Sequence, residues 1–209
     1  MRSNKFITFE GGEGSGKSTQ IVLLSDYLRK QGIDCFTTRE PGGAPNAELI
    51  RKILVTGENE RWDAESEALL HFAARHAHLK NTVWPKLRRG TWVISDRFAD
   101  STMAYQGVAM GLGQGPIESL YQFAVGDFIP DLTFILDVPV ALGLARARRR
   151  GNHENRYENM DTQFHERVRT AFLEIANREP LRCVVVDAEN TIDDTRWAII
   201  ETVTQRFDV

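Results

Sequence analysis

Short runs of apolar and β-branched residues recur along the chain and predict its strands. The runs cover residues 6–9, 35–38, 92–95, 132–136 and 183–186. Each run is almost continuously apolar, which is typical of strands that are buried on both faces of a sheet. The pattern therefore predicts five central strands.

Segments with a helical spacing of apolar residues alternate with these runs. The predicted helices cover residues 18–30, 47–55, 66–87, 116–125, 140–150, 161–177 and 192–207. Strands that alternate with helices are typical of βαβ units, which build parallel sheets. The chain is therefore predicted to be an α/β protein in which helices flank a five-stranded parallel sheet as a three-layer α/β/α arrangement.

A glycine-rich segment directly follows the first predicted strand. Residues 11–18 read GGEGSGKS, which fits the P-loop pattern G-x-x-x-x-G-K-[ST], and a predicted helix begins where the segment ends. The backbone N–H groups of such a loop surround phosphate oxygens, and the helix N-terminus adds partial positive charge. We expect Lys17 to contact the β and γ phosphates of a nucleoside triphosphate and Ser18 to ligate Mg²⁺. The fold prediction thereby narrows to the P-loop NTPase class.

Composition excludes several other classes of protein. The chain has 209 residues and a net charge of −3, so we expect one domain over residues 1–209 and no general attraction to nucleic acid or anionic membranes. No stretch approaches the roughly 18 apolar residues of a membrane-spanning helix. Cys35 and Cys183 lack a nearby Cys or His partner, which predicts free buried thiols in a reducing cytoplasm.

Arginines follow the predicted strands at the edge where a second ligand would bind. In an open parallel sheet, ligands bind beyond the carboxyl ends of the strands. Arg39 follows the second strand and Arg97 the third, while Arg51 and Arg75 lie on the helices between them. Guanidinium groups hold phosphate oxygens in bidentate pairs, so these residues predict a phosphorylated acceptor. Asp96, beside Arg97, is a candidate carboxylate for assisting Mg²⁺.

Basic residues also crowd the end of the helix predicted after the fourth strand. They are Arg146, Arg148, Arg149, Arg150 and, after a polar stretch, Arg156. Guanidinium groups this close repel one another unless anions share them. The cluster predicts a mobile lid over about residues 148–158 that closes over ATP and excludes water from the transferring phosphoryl group.

Together the motifs resemble the thymidylate kinase family, whose members phosphorylate dTMP to dTDP with ATP. The matching segments read FEGGEGSGKST at 9–19, TREPGG at 38–43, DRF at 96–98 and AYQG at 104–107, followed by the arginine cluster. The P-loop has Gly14 where one branch of the family carries arginine, so the resemblance is to the bacterial type with catalytic arginines in the lid. It implies ATP and dTMP as substrates, Mg²⁺ as the cofactor and a homodimer.

The resemblance also implies a role for each matching residue. The ATP-binding residues would be Gly11, Gly12, Glu13, Gly14, Ser15, Gly16, Lys17, Ser18, Thr19 and Arg146. The substrate-binding residues would be Glu13, Arg39, Arg51, His71, Phe72, Arg75, Arg97, Ser101, Thr102, Tyr105 and Gln106. The catalytic residues would be Lys17, Arg97, Arg149, Arg150 and Arg156, and the metal ligands Ser18 and Asp96.

Within that set, the resemblance separates three jobs. Glu13 would accept a hydrogen bond from the 3′-hydroxyl, and Tyr105 would pack on the sugar. Gln106 would read N3 of thymine, and Arg75 would read O4. The arginines of the strand ends would hold the acceptor phosphate, and Arg146 would lie over adenine.

One position departs from the family pattern. Many members place phenylalanine four residues before the base-reading arginine, to stack on thymine, whereas this chain has His71 there and Phe72 next to it. Either His71 or Phe72 would then stack on the base, and a modified pyrimidine monophosphate remains an alternative acceptor. An alternative from another class is a P-loop ATPase module without a nucleotide acceptor, which the arginine-rich strand ends disfavour.

Overall fold

The computed structural model describes residues 4–57, 61–149 and 156–209, and its centre is a parallel sheet. The strands are β1 (Phe6–Glu10), β2 (Cys35–Arg39), β3 (Trp92–Asp96), β4 (Leu132–Asp137) and β5 (Cys183–Asp187). They are arranged in the order β2-β3-β1-β4-β5, and every neighbouring pair is parallel. The predicted five-stranded parallel sheet is confirmed.

Strand β1 lies at the middle of the sheet and carries the glycine-rich loop at its carboxyl end. In the ladder, Phe9 of β1 is opposite Asp96 of β3 on one side and Phe134 of β4 on the other. Because all strands run the same way, the residues that follow them meet at one edge of the sheet. This register brings the loop after β1 beside the residues that follow β3.

Helices surround the sheet. They are α1 (Lys17–Lys30), α2 (Pro45–Leu54), α3 (Ala64–His78), α4 (Trp84–Arg88), α5 (Ala99–Thr102), α6 (Gln114–Ala124), α7 (Val140–Arg149), α8 (Thr162–Arg178) and α9 (Ile192–Phe207). On one face, Leu28 of α1 and Val203 of α9 pack on β-strand residues. On the other face, α3, α6 and α8 cover the sheet through residues such as Phe72 of α3 and Phe172 of α8. The three-layer arrangement follows from this burial on both faces.

Two helical regions differ from the sequence prediction. The predicted helix 66–87 is interrupted by a π-helical segment, Leu79–Val83, before the short helix α4. Pro85 lies in the first turn of α4, and because proline has no N–H to donate, it favours a new helix start rather than a helix interior. Residues 99–109, for which no helix is predicted, form α5 and a π-helical segment, Met103–Ala109.

Within the described ranges, no helix combines the length and apolarity needed to cross a bilayer. Both cysteines are buried and free, as predicted. The predicted lid falls mostly on residues 150–155, which lie outside the described residues.

Candidate active site

A cavity of about 300 Å³ opens at the carboxyl edge of the sheet. One half is lined by Glu13, Lys17, Ser18, Asp96 and Arg97, and we call it the phosphate end. The other half is lined by His71, Thr102, Gln106 and Tyr157, and we call it the base end. These names follow the groups that the resemblance places there.

The P-loop wraps its own lysine. Helix α1 begins at Lys17, and Gly16 before it has a left-handed φ of 93°, which glycine adopts without strain. The ammonium of Lys17 donates to the carbonyls of Gly11 (3.1 Å) and Gly12 (2.9 Å) and to the Ser15 hydroxyl (3.2 Å). Burial, together with the charge of Arg97, lowers the pKa of Lys17 to about 8. An anion entering the loop would therefore strengthen the positive charge on this side chain.

Two glycines press the P-loop against α7. A Cβ added to Gly14 would lie 1.9 Å from the carbonyl oxygen of Gly143, and Gly14 has a left-handed φ of 68°. A Cβ added to Gly143 would lie 2.5 Å from the carbonyl oxygen of Glu13. No side chain fits at either position without moving backbone, so an arginine at position 14 is sterically excluded here.

Oxygen ligands suited to Mg²⁺ lie beside the loop. The Ser18 hydroxyl donates to Oδ2 of Asp96 at 2.8 Å, so a hydroxyl oxygen and a carboxylate oxygen face the same point. Mg²⁺ prefers hard oxygen ligands and binds proteins through one or two carboxylates plus substrate phosphates. The pair therefore fits the predicted metal.

Arg97 occupies the centre of the phosphate end. Its guanidinium donates to the Gly11 carbonyl (3.0 Å), the Ser101 hydroxyl (2.9 Å), Glu13 Oε1 (3.0 Å) and the Tyr105 hydroxyl (3.2 Å). Burial would raise the pKa of Glu13, but Arg97 and Lys17 outweigh it and the pKa is lowered. Glu13 is thus an acceptor held between cations.

The backbone of Arg97 is held in an unusual conformation. Its φ is 69°, a left-handed value that is uncommon for a residue other than glycine. The Arg97 N–H donates to the Phe9 carbonyl at 2.9 Å, and the next N–H, of Phe98, donates to Glu10 Oε1 at 2.7 Å. Burial and the nearby Asp100 raise the pKa of Glu10 to about 8. Backbone strain of this kind persists where the surroundings fix it, which is frequent at functional sites.

Arg39 and Arg51 stand at the mouth of the cavity. Arg39 pairs with Glu48 at 3.2 Å, and both side chains are well exposed. Arg51 donates to the Pro41 carbonyl at 2.7 Å. Both predicted phosphate ligands therefore line the same cavity as Arg97.

The base end is built around a buried carboxylate, Glu67. One of its oxygens pairs with Arg156. The other accepts from the Tyr157 hydroxyl at 2.9 Å and from Nε2 of Gln106 at 2.8 Å. His71 Nε2 lies 3.1 Å from the same Tyr157 hydroxyl. These contacts join three parts of the chain in one hydrogen-bonded network: α3, the π-helical segment Met103–Ala109, and the residues Arg156 and Tyr157.

Arg75 lies directly behind the base end. Only 2% of its surface is exposed. It donates to Glu40 (2.7 Å), the Phe98 carbonyl (2.9 Å) and the Thr102 hydroxyl (3.1 Å). Its remaining nitrogen, Nη1, is buried without a hydrogen-bond partner among the described residues. An unsatisfied buried donor is costly unless a ligand meets it.

The two candidates for stacking on the base, His71 and Phe72, lie in different surroundings. His71 lines the cavity, and burial lowers its pKa to about 3, helped by nearby arginines. Phe72 lies in the core instead, packed edge-on against Tyr121 with ring centroids 6.5 Å apart. Adjacent positions on a helix point in different directions, so Phe72 faces the core while His71 faces the cavity. The prediction that Phe72 contacts the substrate is corrected accordingly.

The predicted lid arginines do not share one location. Arg156 is fully buried, pairs with Glu67 and donates to the Leu54 carbonyl at 3.2 Å. It therefore lies at the base end and not over the P-loop, which corrects its assignment to charge stabilisation. Arg149 is exposed at the end of α7 and lines neither this cavity nor the next. Arg150 lies outside the described residues.

A second cavity of about 400 Å³ adjoins the other side of the P-loop. Gly14, Gly16 and Thr19 line it together with Arg146 and Asn190. The Arg146 guanidinium donates to the Ala188 carbonyl at 2.8 Å, which fixes its position beside this space. The residue that the resemblance implies for adenine, Arg146, thus lines a cavity that adjoins the P-loop.

Sequence reasoning missed Glu67 as a site residue. A signal for it was present: Glu67, His71 and Arg75 are spaced four residues apart, so they lie on one face of α3. A carboxylate on the same helical face as a predicted base-reading arginine is expected to face the site and not the solvent. Tyr157 was missed as well, because the polar stretch around it resembles a loop.

Comparison with known proteins identifies the family to which the chain belongs. The sequence matches the thymidylate kinase family over residues 9–199. It is 49% identical to a thymidylate kinase of Caulobacter vibrioides over 99% of both chains, and 48% identical to one of Magnetococcus marinus over 98% of both. A crystal structure of thymidylate kinase from Ehrlichia chaffeensis superposes with a TM-score of 0.78 and 34% identity, covering 97% of this chain and 99% of that one. The chain therefore belongs to the thymidylate kinase family, a family of phosphotransferases with the P-loop NTPase fold.

Proposed function

We propose that the chain transfers the γ-phosphoryl group of ATP to dTMP and so forms dTDP. The observation that carries this proposal is the hydrogen-bonding polarity of the base end. Nε2 of Gln106 is occupied by Glu67, whereas its Oε1 accepts no hydrogen bond from the described residues. Arg75 Nη1 is a donor without a partner in the same part of the chain. The cavity lining thus offers an acceptor, and an unpaired donor lies buried directly behind it.

That polarity fits thymine and opposes cytosine. Thymine carries a donor at N3 and an acceptor at O4, and cytosine reverses both. A site built to pair with polar groups rejects a ligand that leaves those groups unpaired. Gln106 Oε1 would accept from N3–H, and Arg75 Nη1 would donate to O4.

At the phosphate end, the residues position and neutralise anions. Arg97 would hold the acceptor phosphate, with Arg39 and Arg51 at the mouth. The second oxygen of Glu13, Oε2, accepts no hydrogen bond from the described residues, so it is available to the 3′-hydroxyl. Tyr105 holds Glu13 in place through its hydroxyl, at 2.9 Å.

Transfer itself needs positioning and charge rather than a covalent intermediate. The acceptor is already an anionic phosphate, so no general base is required. Lys17 would bind the β and γ phosphates. Ser18 and Asp96 would hold Mg²⁺, which neutralises phosphate charge when bound. Arg149 and Arg150 remain our candidates for stabilising charge from the lid, and Arg146 for packing on adenine.

We also propose a homodimer in the cytoplasm. Leu69 on α3 and Phe123 on α6 are 56% and 90% exposed, although both are large and apolar, and these helices contact each other in the protomer. Covering such a face would remove apolar surface from water. The two buried free thiols, Cys35 and Cys183, suit a reducing compartment.

The test is a coupled assay of ADP release from Mg·ATP with dTMP, dUMP, 5-hydroxymethyl-dUMP, dCMP and thymidine at equal concentrations. We expect dTMP to give the highest kcat/KM and dCMP to give little turnover. If 5-hydroxymethyl-dUMP instead gave the highest kcat/KM, the proposed mechanism would stand, but the natural acceptor would be a modified pyrimidine bound beside His71. ATP hydrolysis that no acceptor stimulates would overturn the proposal and favour an ATPase module.

A further inference from the structure

Glu67 makes more contacts at the base end than an ordinary ion pair requires. It is fully buried on α3. Its Oε1 pairs with Arg156, while its Oε2 accepts from both Tyr157 and Gln106. The two oxygens therefore serve two separate purposes, charge pairing and contact with the lining of the cavity.

The contact with Gln106 is directional. A carboxylate has no proton to donate, so only the NH₂ group of an amide can face it favourably. With Nε2 at 2.8 Å from Glu67, the carbonyl oxygen of Gln106 must point the other way. Gln106 is 1% exposed and lines the cavity, so the oxygen points at the position of the base.

We propose that Glu67 is a specificity-determining positioning residue, which fixes the amide of Gln106 so that an acceptor and not a donor faces N3 of the pyrimidine. This inference rests on the proposed function, because it concerns how that same site distinguishes thymine from cytosine. Glu67 does not touch the substrate. It acts through Gln106.

A purely structural role would give a different result. If Glu67 only neutralised Arg156, its replacement would change stability, and the activities toward all acceptors would change together. If Glu67 fixes the orientation of the Gln106 amide, its replacement changes the preference of the enzyme for one acceptor over another. The informative substrates are dTMP and 5-methyl-dCMP, since they differ only at N3 and at the group on position 4.

The variant Glu67→Gln makes the prediction directional. Arg156 would keep the carbonyl oxygen of the new amide, which leaves the NH₂ group facing Gln106. Gln106 would then turn its oxygen toward position 67 and its NH₂ toward the base. We expect kcat/KM for dTMP to fall about tenfold or more, mostly through KM. We expect kcat/KM for 5-methyl-dCMP to rise.

A rise for 5-methyl-dCMP cannot come from damage to the fold, so it is the decisive readout. The preference for dTMP should be reduced but not inverted, because Arg75 Nη1 still opposes the cytosine amino group. The KM for ATP should stay within about twofold. Glu174→Gln, an exposed glutamate on α8, is the matched control and should change neither substrate.

If Glu67→Gln does not fold, Glu67→Asp keeps the charge beside Arg156 and withdraws the carboxylate from Gln106. We then expect the ratio of kcat/KM values, dTMP over 5-methyl-dCMP, to fall about tenfold. A folded variant with an unchanged ratio would overturn the inference. Wild-type protein that fails to phosphorylate dTMP would instead overturn the proposed function, so the two failures are distinguishable.

Discussion

The two ends of the cavity use charge in different ways. At the phosphate end, Lys17 and Arg97 bind backbone carbonyls and hydroxyls that a phosphate could replace, although Arg97 also pairs with Glu13 at 3.0 Å. At the base end, Arg75 and Arg156 are buried in ion pairs with Glu40 and Glu67. The first arrangement leaves positive charge for a ligand, and the second uses it within the protein.

This difference shows that an arginine near a site need not bind a charged ligand. Burying an ion pair costs desolvation, and the gain is often spatial definition rather than stability. At the base end, the pairs fix the positions of Arg75 and Gln106, the donor and the acceptor that we expect to recognise the nucleobase. The following substitutions test the comparison, beginning with the largest effect.

The strongest test of the base end is Arg75→Met. It leaves Glu40 buried without its guanidinium partner, so we expect the free energy of unfolding to fall by about 3 kcal/mol or more. Urea denaturation measures this loss. Arg39→Met breaks the exposed pair with Glu48 and should cost less than about 1 kcal/mol. An equal loss of unfolding free energy in the two variants would show that the arginine pairs at the two ends of the cavity do not differ in this way.

At the phosphate end, Lys17→Ala should affect turnover and not stability. Losing one charged contact to the transferring phosphoryl group typically lowers kcat about 10²-fold to 10³-fold. Steady-state kinetics with dTMP and with dUMP should show the same loss, because the contact is independent of the base. Lys30→Ala, at the exposed end of α1, is the matched control. Normal turnover in Lys17→Ala would contradict the P-loop assignment.

Arg97→Ala should weaken acceptor binding selectively. Loss of charge-assisted hydrogen bonds to the phosphate should raise the Kd for dTMP about tenfold to a hundredfold. ATP affinity, measured by calorimetry without acceptor, should change little. Arg88→Ala, exposed at the end of α4, should change neither. An unchanged dTMP affinity would assign the acceptor phosphate to other residues.

The glycine contact between the P-loop and α7 gives a smaller effect. Gly14→Ala forces a methyl group against the Gly143 carbonyl and should cost about 1–3 kcal/mol of stability. A Cβ at Gly12 meets nothing within 4 Å, so Gly12→Ala should leave Tm nearly unchanged. Thermal unfolding of both variants compares two neighbouring residues of one loop. A similar Tm for both would mean that the loop shifts freely.

The effect that is smallest near neutral pH concerns protonation of His71. Burial lowers the pKa of His71 to about 3, below the ordinary value of about 6.5 in an unfolded chain. The unfolded state therefore binds the extra proton first, and stability is lost as pH falls from about 6.5 toward 3. His71→Phe should reduce this acid sensitivity, measured as Tm against pH. An identical Tm profile in the variant would show that His71 does not titrate in this way.

The phosphate end could be predicted from the sequence because its residues are close together. Residues 11–18 form one continuous motif, and Asp96 and Arg97 directly follow a strand whose register with β1 is set by the parallel sheet. Loop, strand end and helix start are all local features. Given the sheet order, the strand register also accounts for the contacts that the structure shows between Ser18 and Asp96 and between Arg97 and Glu13.

The base end could not be predicted in the same way. Glu67 and Arg156 are separated by 89 positions, and Glu67 and Gln106 by 39. No local pattern pairs them, so the sequence alone groups Arg156 with the neighbouring lid arginines and not with its distant partner. The π-helical segment that contains Gln106 lacks the regular spacing of apolar residues from which a helix is predicted. The choice between Phe72 and His71 depends on which face of α3 is turned toward the cavity, and an error of one residue rotates that face by about 100°.

The glycine pair at positions 14 and 143 also has an evolutionary consequence. Each backbone occupies the space that a side chain on the other would need. A lineage could not acquire an arginine at position 14 by one replacement, since the first step would meet the backbone of α7. We therefore expect the residues at positions 14 and 143 to vary together among relatives, because the contact between the two backbones contains no side chain that could make room.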